Sequence, residues 1–345
     1  MVTELGLNDA LVSKLNKAGF STVSQIVKHR GRNVAQLAGL TIDEYRMLGE
    51  SLESLKEYEL PFLTPDSLPK PHYCTVNCRP MDQAMGGGFV SGLITEIAGV
   101  PGSGKTTLVL QTAIASVVDQ GKRAILIDTE GGLSALMGTA KFITMVQRVL
   151  RYYSALRGEK IMPDSVINKL TLIRAFNIAE LVGCIAKLKL DERKGELGEV
   201  GLVAVDSIAF HFKYGLKGAN RTDLINSVGL QLLELATKLQ CSVIAVNHLQ
   251  VAKSLDGAFR PYMGDAWAPF CAQKVMVDLP AKDPLSLAAT GSFLDFASFQ
   301  FKDTFAFLVY ESPLVERTSV PFVINEFGVV ATGTVDADEM SQIIM

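Results

Sequence analysis

The sequence has few cysteines and no long apolar run, and both shortages narrow the class of protein. Its 345 residues include five cysteines, none of which forms a Cys-x-x-Cys pair. An odd count without paired spacing is typical of reduced, buried thiols and argues against a disulfide scaffold. No apolar run approaches the roughly 18 residues that suggest a membrane span. We therefore expect a globular protein of a reducing compartment that makes no membrane contact.

The sequence also lacks an excess of positive charge. Lysine and arginine together number 33 against 36 aspartates and glutamates, which gives a formal net charge of −3. Proteins that bind nucleic acid commonly carry a basic stripe, so any contact with DNA would have to come from local groups of basic residues. Hydrophobic residues make up 48% of the chain, which is the composition of a folded protein.

Residues 1 to about 60 have a helical pattern. Leucines recur at helical spacing before a break at Gly19, and the segment AGLT (38–41) separates two further short helical patterns. A glycine between short helices, followed by Thr41 as an N-cap, is what a helix-hairpin-helix module needs, and its hairpin can present backbone N–H groups to a phosphate. A plain helical bundle used for packing has the same pattern, so both interpretations stay open.

Four prolines between Pro61 and Pro71 mark residues 61–74 as a linker. Proline at this density favours an extended and semi-rigid chain. The helical domain is therefore predicted to cover residues 1–60, and the main domain residues 75–345.

From about residue 75, short apolar runs alternate with helical segments. The runs are LITEIA, AILID, LTLIRAF, LVAVD and SVIAVN. Strands that are apolar on both faces and joined by helix-length connections predict a mainly parallel sheet covered on both sides. The last runs, TFAFLVYESP and SVPFVINEFGVVATG, predict a strand pair added to one edge. The predicted fold class is α/β, preceded by a small all-α domain.

The segment GVPGSGKT fits the pattern Gly-x-x-x-x-Gly-Lys-Ser/Thr of a phosphate-binding loop. It lies between the predicted strand LITEIA and the predicted helix TTLVLQTAIASVV, which is the context such a loop requires. Lys105 would place a charge beside the β and γ phosphates of ATP, and Thr106 would offer a hydroxyl to Mg²⁺. The predicted nucleotide-binding residues are Gly99, Val100, Pro101, Gly102, Ser103, Gly104, Lys105, Thr106 and Thr107.

Two further apolar strands end in carboxylates. LVAVDS ends in Asp206, the expected place for the carboxylate that orders Mg²⁺ together with Thr106; an aspartate that caps the following helix is the alternative. AILIDTEGG ends in Asp128 and continues to Glu130. A carboxylate beside the γ-phosphate could orient and deprotonate an attacking water. We assign this catalytic role to Glu130, which projects beyond the strand, with Asp128 as the competitor and Lys105 as the second catalytic residue.

The remaining candidates follow two of the predicted strands. Asn247 and His248 end the strand SVIAVN and could sense the γ-phosphate, although a histidine after a strand is more often an ordinary hydrogen-bonded residue. Residues 213–223 and 250–266 contain glycine and basic side chains and are predicted to be mobile loops. Such loops can grip a nucleic-acid backbone, although charged loops are usually only solvated. The DNA-binding candidates are Lys213, Lys217, Arg221, Lys253 and Arg260.

These motifs together resemble the RecA-family recombinases of eukaryotes and archaea over nearly the whole chain. LGLNDALVSKLNKAGFSTVSQI is similar to the family's helix-hairpin-helix domain, GGGFVSGLITEIAGVPGSGKTTL to its Walker A region, and LVAVDS to its Walker B strand. LIDTEGG is similar to the segment with the family's catalytic glutamate, which falls on Glu130. IRAFN resembles a core strand, and VYESP with VPFVINEFGV resembles the final strand pair. The resemblance implies a RecA-type P-loop ATPase core and assigns the two basic loops to the family's two DNA-binding loops.

Three departures separate the sequence from strand-exchange recombinases. His248 stands where those proteins carry a glutamine, and MGDAWAP stands where their second loop leads into a Gly-Gly pair. Their Phe-x-x-Ala segment, which plugs into the next subunit, is replaced by FLTP (62–65), and its proline argues against simple self-polymerisation. These departures resemble the recombination paralogues, most closely the one lettered C, with some features of the one lettered B.

The resemblance implies a DNA-dependent ATPase with ATP and Mg²⁺ as cofactors. Its expected role is to assist the main recombinase on single-stranded DNA in homologous recombination and double-strand-break repair. The expected partners are single-stranded or branched DNA, other paralogue subunits and the main recombinase. The expected compartment is the nucleus, with the cytoplasm as a second one. An autonomous filament-forming recombinase is the alternative function, and a small-molecule P-loop kinase is a remote one.

Overall fold

The chain consists of two units, Met1–Lys70 and Pro71–Met345. The computed structural model describes residues 2–28, 32–54, 71–213, 218–251, 259–278 and 304–332. Most of the proline-rich segment, the FLTP sequence and the DNA-binding candidates Lys217 and Lys253 lie outside the described residues. Among the described helices, none is both long and apolar enough to cross a membrane.

The first unit is helical, as the sequence pattern predicts. It contains a short 3-10 turn, Val2–Leu5, followed by α1 (Asp9–Lys17), α2 (Val23–Lys28), α3 (Arg32–Leu37) and α4 (Ile42–Ser54). The apolar side chains that recur at helical spacing meet in one small core, formed by Val2, Leu5, Leu11, Leu15, Phe20, Ile26, Val34 and Leu48. Because the periodic leucines all enter this core, packing between the helices holds the short segments in helical form.

The turn between α3 and α4 follows the predicted sequence signals. Gly39 has a φ of +61°, a left-handed conformation that glycine adopts without strain. Thr41 and Glu44 then form a reciprocal cap at the start of α4. The Glu44 backbone N–H donates to Thr41 Oγ1 at 3.2 Å, and the Thr41 N–H donates to Glu44 Oε2 at 2.8 Å. That the helical domain, residues 1–60, acts as a helix-hairpin-helix module stays a prediction.

The second unit alternates strands and helices. Its elements are β1 (Tyr73–Cys74), α5 (Arg79–Ala84), β2 (Phe89–Val90), β3 (Ile94–Gly99), α6 (Lys105–Gln120), β4 (Arg123–Asp128), α7 (Gly132–Met137), α8 (Ala140–Arg157), α9 (Pro163–Ile167), β5 (Leu170–Arg174), α10 (Ile178–Lys194), β6 (Val200–Asp206), α11 (Gly218–Leu239), β7 (Ser242–Val251), β8 (Phe259–Pro261), β9 (Cys271–Asp278), β10 (Phe305–Glu311), β11 (Thr318–Asn325) and β12 (Gly328–Ala331).

The main sheet has the strand order β12-β11-β10-β9-β3-β7-β6-β4-β5, and β8 pairs with β7. The strands from β9 to β5 in this order are parallel, whereas β10, β11 and β12 add to the β9 edge in antiparallel fashion. Side chains of β4 alternate between two cores: Leu126 packs in the core under α6 and α8, and Ile127 packs in the core under α10 and α11. The predicted α/β class with a mainly parallel sheet is confirmed.

Three details differ from the sequence-based expectations. The edge carries three strands, not two, because the chain reverses within INEFGV: the Phe327 N–H donates to Asn325 Oδ1 at 2.9 Å, and Gly328 has a φ of +109°. β9 was not predicted. The segments expected to be mobile loops also contain regular structure, since Arg221 lies in the first turn of α11 and Arg260 lies in β8.

Candidate nucleotide-binding site

The phosphate-binding loop connects β3 to α6, as its flanking sequences predict. Gly102 and Gly104 have φ values of +81° and +88°, which side-chain-bearing residues rarely adopt. A Cβ atom at Gly99 would lie 2.2 Å from the carbonyl oxygen of Val277 in β9, and one at Gly104 would lie 2.4 Å from Ile324 Cδ1 in β11. The backbone geometry and the close neighbours therefore both require glycine at this loop.

The loop has unused hydrogen-bonding capacity that suits an anion. Ser103 Oγ is fully buried and has no partner among the described residues. The 16-residue helix α6 begins after Gly104, which offers no side chain to cap the helix, so its first N–H groups remain available for a phosphate. Backbone donors at a helix N-terminus next to a glycine loop fit the phosphates of a nucleotide.

Lys105 holds its ammonium group over this loop. Its Nζ atom donates to the carbonyl oxygens of Gly99 at 3.0 Å and Val100 at 2.7 Å. The residue is 9% exposed, so the charge sits in a confined position beside the loop backbone. This is the place from which it could neutralise phosphate oxygens, as the sequence predicts.

Thr106 and Asp206 meet at the start of α6 and the end of β6. Thr106 Oγ1 donates to Asp206 Oδ2 at 2.7 Å. Burial raises the pKa of Asp206 to about 6, against the lowering effect of the Thr106 hydrogen bond. A hydroxyl beside a carboxylate supplies hard oxygen ligands of the kind that Mg²⁺ prefers, and Mg²⁺ commonly uses only one or two carboxylates together with nucleotide phosphates and water. The pair therefore fits the predicted metal.

Asp128 and Glu130, the two candidates for the catalytic carboxylate, have different surroundings. Asp128 is fully buried. Its carboxylate accepts N–H bonds from Gly131 at 2.7 Å and Ser134 at 2.8 Å and pairs with Arg174 at 3.2 Å. Asp128 thus anchors the loop after β4. The Glu130 side chain is one-third exposed, which leaves it accessible to a water molecule. The geometry supports the assignment of the base to Glu130.

Two polar side chains hold Glu130 in place. Glu130 Oε1 accepts from Ser207 Oγ at 2.5 Å and from His248 Nε2 at 2.5 Å. Burial alone would raise the pKa of Glu130, but the hydrogen bonds from His248 and Ser207 outweigh it, and the pKa lies below its usual value. Glu130 is therefore ionised at neutral pH, as a general base must be.

The loops after β4 and β6 are fastened to each other beneath this carboxylate. The Thr129 N–H donates to the Asp206 carbonyl at 2.9 Å. Thr129 Oγ1 accepts from the Ser207 N–H at 2.8 Å and donates to the Ser207 carbonyl at 2.9 Å. Thr129 and Ser207 were not predicted as site residues, although each directly follows a strand-ending aspartate, which is the signal that could have identified them.

His248 extends the polar network away from Glu130. A carboxylate can only accept hydrogen bonds, so the hydrogen atom lies on His248 Nε2, which donates to Glu130. His248 Nδ1 is then the acceptor for Lys213 Nζ, which contacts it. The predicted sensor histidine therefore lies between the Glu130 carboxylate and Lys213, the first residue of the first basic segment.

Asn247, the second predicted sensor, has different partners. It is fully buried, and its amide donates to Glu96 Oε1 at 2.7 Å. Its Oδ1 atom accepts from the backbone N–H of His248 at 2.8 Å. Tyr310 in β10 donates to the other Glu96 oxygen at 3.2 Å. The contacts of Asn247 thus fix the backbone from which His248 projects, and Glu96 is a supporting residue that the sequence did not reveal.

The described basic candidates lie around one aromatic ring. Lys213 Nζ lies 5.7 Å and the Arg221 guanidinium carbon 5.3 Å from the ring centroid of Tyr262. Arg260 lies two residues before Tyr262, is exposed, and pairs with Gln250 across β7 and β8. Two cations and a neighbouring exposed arginine beside an aromatic ring form a surface that can contact phosphate groups and a base.

Comparison with known proteins shows which sequences the chain resembles. Residues 76–145 match the ATPase family KaiC. The chain is 27% identical over 266 residues to "DNA repair protein RAD51 homolog 3" of Dictyostelium discoideum, covering 73% of this chain and 64% of that relative's length. It is 32% identical over 174 residues to "DNA repair and recombination protein RadB" of Thermococcus kodakarensis, covering 50% of this chain and 68% of the relative.

A solved structure supports the same fold. The RadB recombinase superposes with a TM-score of 0.54 at 20% sequence identity, covering 75% of this chain and all of that one. The fold, the phosphate-binding loop and the relatives all indicate the same family. The chain belongs to the RecA family of DNA repair recombinases, and within it to the paralogues, with a C-like character.

Proposed function

We propose that this protein is a DNA-dependent ATPase that assists the main recombinase on single-stranded DNA, as one subunit of a complex of paralogues in homologous recombination. The observation that carries the proposal is the path from Glu130 through His248 to Lys213. It connects the residue that would activate water with the start of a basic segment. The proposed cofactors are ATP and Mg²⁺, and the proposed compartment is the nucleus.

Each residue of the site has a part in this activity. The loop residues 99–107 would hold the phosphates, and Thr106 with Asp206 would hold Mg²⁺. The metal, when bound, supplies charge neutralisation at the phosphate oxygens. Glu130 orients a water molecule and accepts its proton. Ser207 and His248 fix the position of that carboxylate, because both donate to its Oε1 atom.

The same contacts would link the nucleotide to DNA. Neutralising Glu130, or drawing it towards a γ-phosphate-bound water, changes the acceptor of His248 Nε2. His248 can then shift and alter the contact of its Nδ1 with Lys213. Lys213 also lies over the ring of Tyr262, which follows Arg260 by two residues. Nucleotide state would thereby set the arrangement of the basic surface.

The test is ATP turnover by the full chain with and without single-stranded DNA, combined with electron microscopy of the same samples. We expect single-stranded DNA to stimulate turnover and the protein to form short patches or isolated particles on it. Unchanged turnover would contradict the DNA dependence. Long regular filaments would favour the autonomous recombinase instead.

Reversing the charge of Arg260 should weaken binding to single-stranded DNA. We expect Arg260→Glu to lower affinity about fivefold to tenfold and to reduce the salt slope by about one, because one phosphate contact is lost. Fluorescence anisotropy at several salt concentrations measures both. Lys194→Glu is the matched control, since Lys194 is exposed at the end of α10, before the amino end of β6. Equal losses of DNA affinity in both variants would mean that Arg260 is an ordinary solvated charge that makes no specific contact with DNA.

A further inference from the structure

A cavity of about 580 Å³ lies in the second unit between α5, α8 and β12. None of the loop residues 99–107 lines it, so it is separate from the candidate nucleotide site. Its volume falls within the range of about 300 to 1,000 Å³ that is typical of small-molecule sites. The basic residues that line it are Arg79, Arg148 and Arg151. The aromatic residues that line it are Tyr152, Tyr153 and Phe327.

The local structure brings the three arginines to the same space. Arg148 and Arg151 are three residues apart on α8, and residues at this spacing lie on one face of a helix. Arg79 is the first residue of α5. The Arg148 guanidinium donates to the carbonyl oxygen of Asn77, two residues before Arg79, at 3.1 Å. The start of α5 and one face of α8 therefore bring three positive charges to one cavity.

Arg148 is a buried cation without an acidic partner. It is 8% exposed, and its second acceptor is the carbonyl oxygen of Val329 at 3.5 Å. In the part of the chain that the structure describes, no carboxylate pairs with it. Burial lowers the pKa of Arg148 to about 10, so the guanidinium stays charged at neutral pH. A buried charge that meets only neutral acceptors is incompletely compensated, and an anion in the cavity would compensate it.

Asp82 is the one carboxylate among the described residues that line the cavity, and it does little to balance the arginines. Its two oxygens accept the backbone N–H groups of Val76 at 2.7 Å and Cys78 at 3.3 Å. Burial raises the pKa of Asp82 to about 7, despite the lowering effect of these bonds. Because the group is engaged by the backbone and only partly ionised at neutral pH, the cavity keeps an excess of positive charge.

A buried side chain of α6 holds two walls of the cavity together. Gln111 Nε2 donates to the carbonyl oxygens of Val76 at 2.8 Å and Val329 at 3.2 Å. Gln111 Oε1 accepts from the Val329 N–H at 2.8 Å. Val329 lines the cavity, and Val76 lies between the lining residues Thr75 and Asn77. The cavity is therefore formed before any ligand binds, so binding requires little ordering of the protein.

We propose that this cavity binds a small aromatic anion, a molecule that joins a phosphate or carboxylate group to a ring. Its anionic group pairs with the three arginines, because a planar guanidinium can bind two oxygens of a phosphate or carboxylate at once. Its ring packs against Tyr152 and Phe327, since aromatic rings attract one another beyond the area that they bury. A neutral ligand would leave Arg148 uncompensated, and an anion without a ring would leave the aromatic residues unused. The proposal does not depend on the ATPase activity proposed above.

Saturation-transfer NMR titrations of the full chain with phenyl phosphate, benzoate and phenol test the proposal. Phenol has the ring without the charge at neutral pH. We expect phenyl phosphate and benzoate each to bind at least tenfold more tightly than phenol, and the tighter of the two identifies the anionic group that the cavity takes. Inorganic phosphate, which has the charge without the ring, should compete at least tenfold more weakly than phenyl phosphate.

Two variants locate the binding. Arg79→Gln with Arg151→Gln removes the two exposed arginines and should weaken phenyl phosphate binding at least tenfold. Arg148→Gln should have an effect of the same size, while glutamine can still donate to one of the two carbonyl oxygens. Thermal unfolding of each variant without ligand verifies the fold.

Arg46→Gln with Arg193→Gln is the matched control, because it removes the same charge from two exposed arginines that do not line the cavity; it should leave the affinity unchanged. Lys105→Ala should also leave it unchanged, which distinguishes the cavity from the phosphate-binding loop. The proposal is overturned if phenol binds as tightly as the two anions, or if the Arg79 and Arg151 double variant loses no more affinity than the control. Loss of phenyl phosphate binding in Lys105→Ala would overturn it as well.

Discussion

Replacing Glu130 by glutamine is expected to stop ATP turnover while ATP binding persists. Glutamine has nearly the shape of glutamate but cannot accept a proton from water, and loss of a positioned general base costs about 10² to 10⁴ in rate. Ser207 can still donate to the amide oxygen, so the loop position is kept. Steady-state phosphate release and nucleotide affinity, measured on the same preparation, separate the two effects.

Glu199→Gln is the control for this substitution. Glu199 is exposed immediately before β6, at the end of that strand opposite Asp206, and the same isosteric change there should leave turnover unaltered. Persistent turnover in the Glu130 variant would mean that another group activates the water. Loss of ATP affinity would mean that Glu130 contributes to nucleotide binding.

Replacing Lys105 by alanine is expected to remove nucleotide binding. The ammonium would contribute charge-assisted hydrogen bonds to phosphate oxygens, each worth about 1.5 to 3 kcal/mol, so affinity should fall on the order of 100-fold or more. The carbonyl oxygens of Gly99 and Val100 also lose their donor. Isothermal titration with ATP and Mg²⁺ gives the affinity, and thermal unfolding without nucleotide reports the effect on the fold.

Lys122→Ala serves as the comparison, since Lys122 precedes β4 at the amino end of the sheet. It should bind ATP as the wild type does. If Lys105→Ala retained full affinity, the backbone of the loop alone would account for binding. If Lys105→Ala alone unfolded at a clearly lower temperature without nucleotide, destabilisation of the fold would explain its loss of binding.

Sequence reasoning could predict those parts of the candidate site that are local in the chain. The loop needs glycine for positive φ at Gly102 and Gly104, and a glycine-rich segment between an apolar strand and a helix is visible in a short stretch of sequence. Asp206 and Glu130 were predicted for the same reason, because Asp206 ends one apolar run and Glu130 follows two residues after Asp128, which ends another. The α/β class follows from strands that are apolar on both faces.

Strand β9 was missed because its sequence, CAQKVMVD, contains polar residues in the core. Gln273 is fully buried and accepts from Thr95 Oγ1 at 3.0 Å. Lys274 pairs with Glu311 of β10 at 2.7 Å. Partners on neighbouring strands satisfy both side chains, and those partners are 178 and 37 residues away in the chain. A short apolar pattern cannot indicate such compensation.

The links between site residues were hidden for a similar reason. Glu130 and His248 are separated by 118 residues, and Glu130 and Ser207 by 77. Only the order of β4, β6 and β7 in the sheet brings them to one edge. The different contacts of Asn247 and His248 could not be predicted from the sequence either. Two adjacent residues at a strand end project in opposite directions, so Asn247 contacts Glu96 and His248 contacts Glu130.

The position of β3 in the sheet has a consequence for how the protein is made. This strand carries the phosphate-binding loop, yet its neighbours on both sides, β7 and β9, are encoded far later in the chain. A ribosome adding about 5 to 20 residues per second needs roughly 10 to 30 s to produce the intervening stretch. During that time the apolar β3 has no partner strand and no finished loop to offer a nucleotide. ATP binding can therefore stabilise the fold only after nearly the whole core has been synthesised.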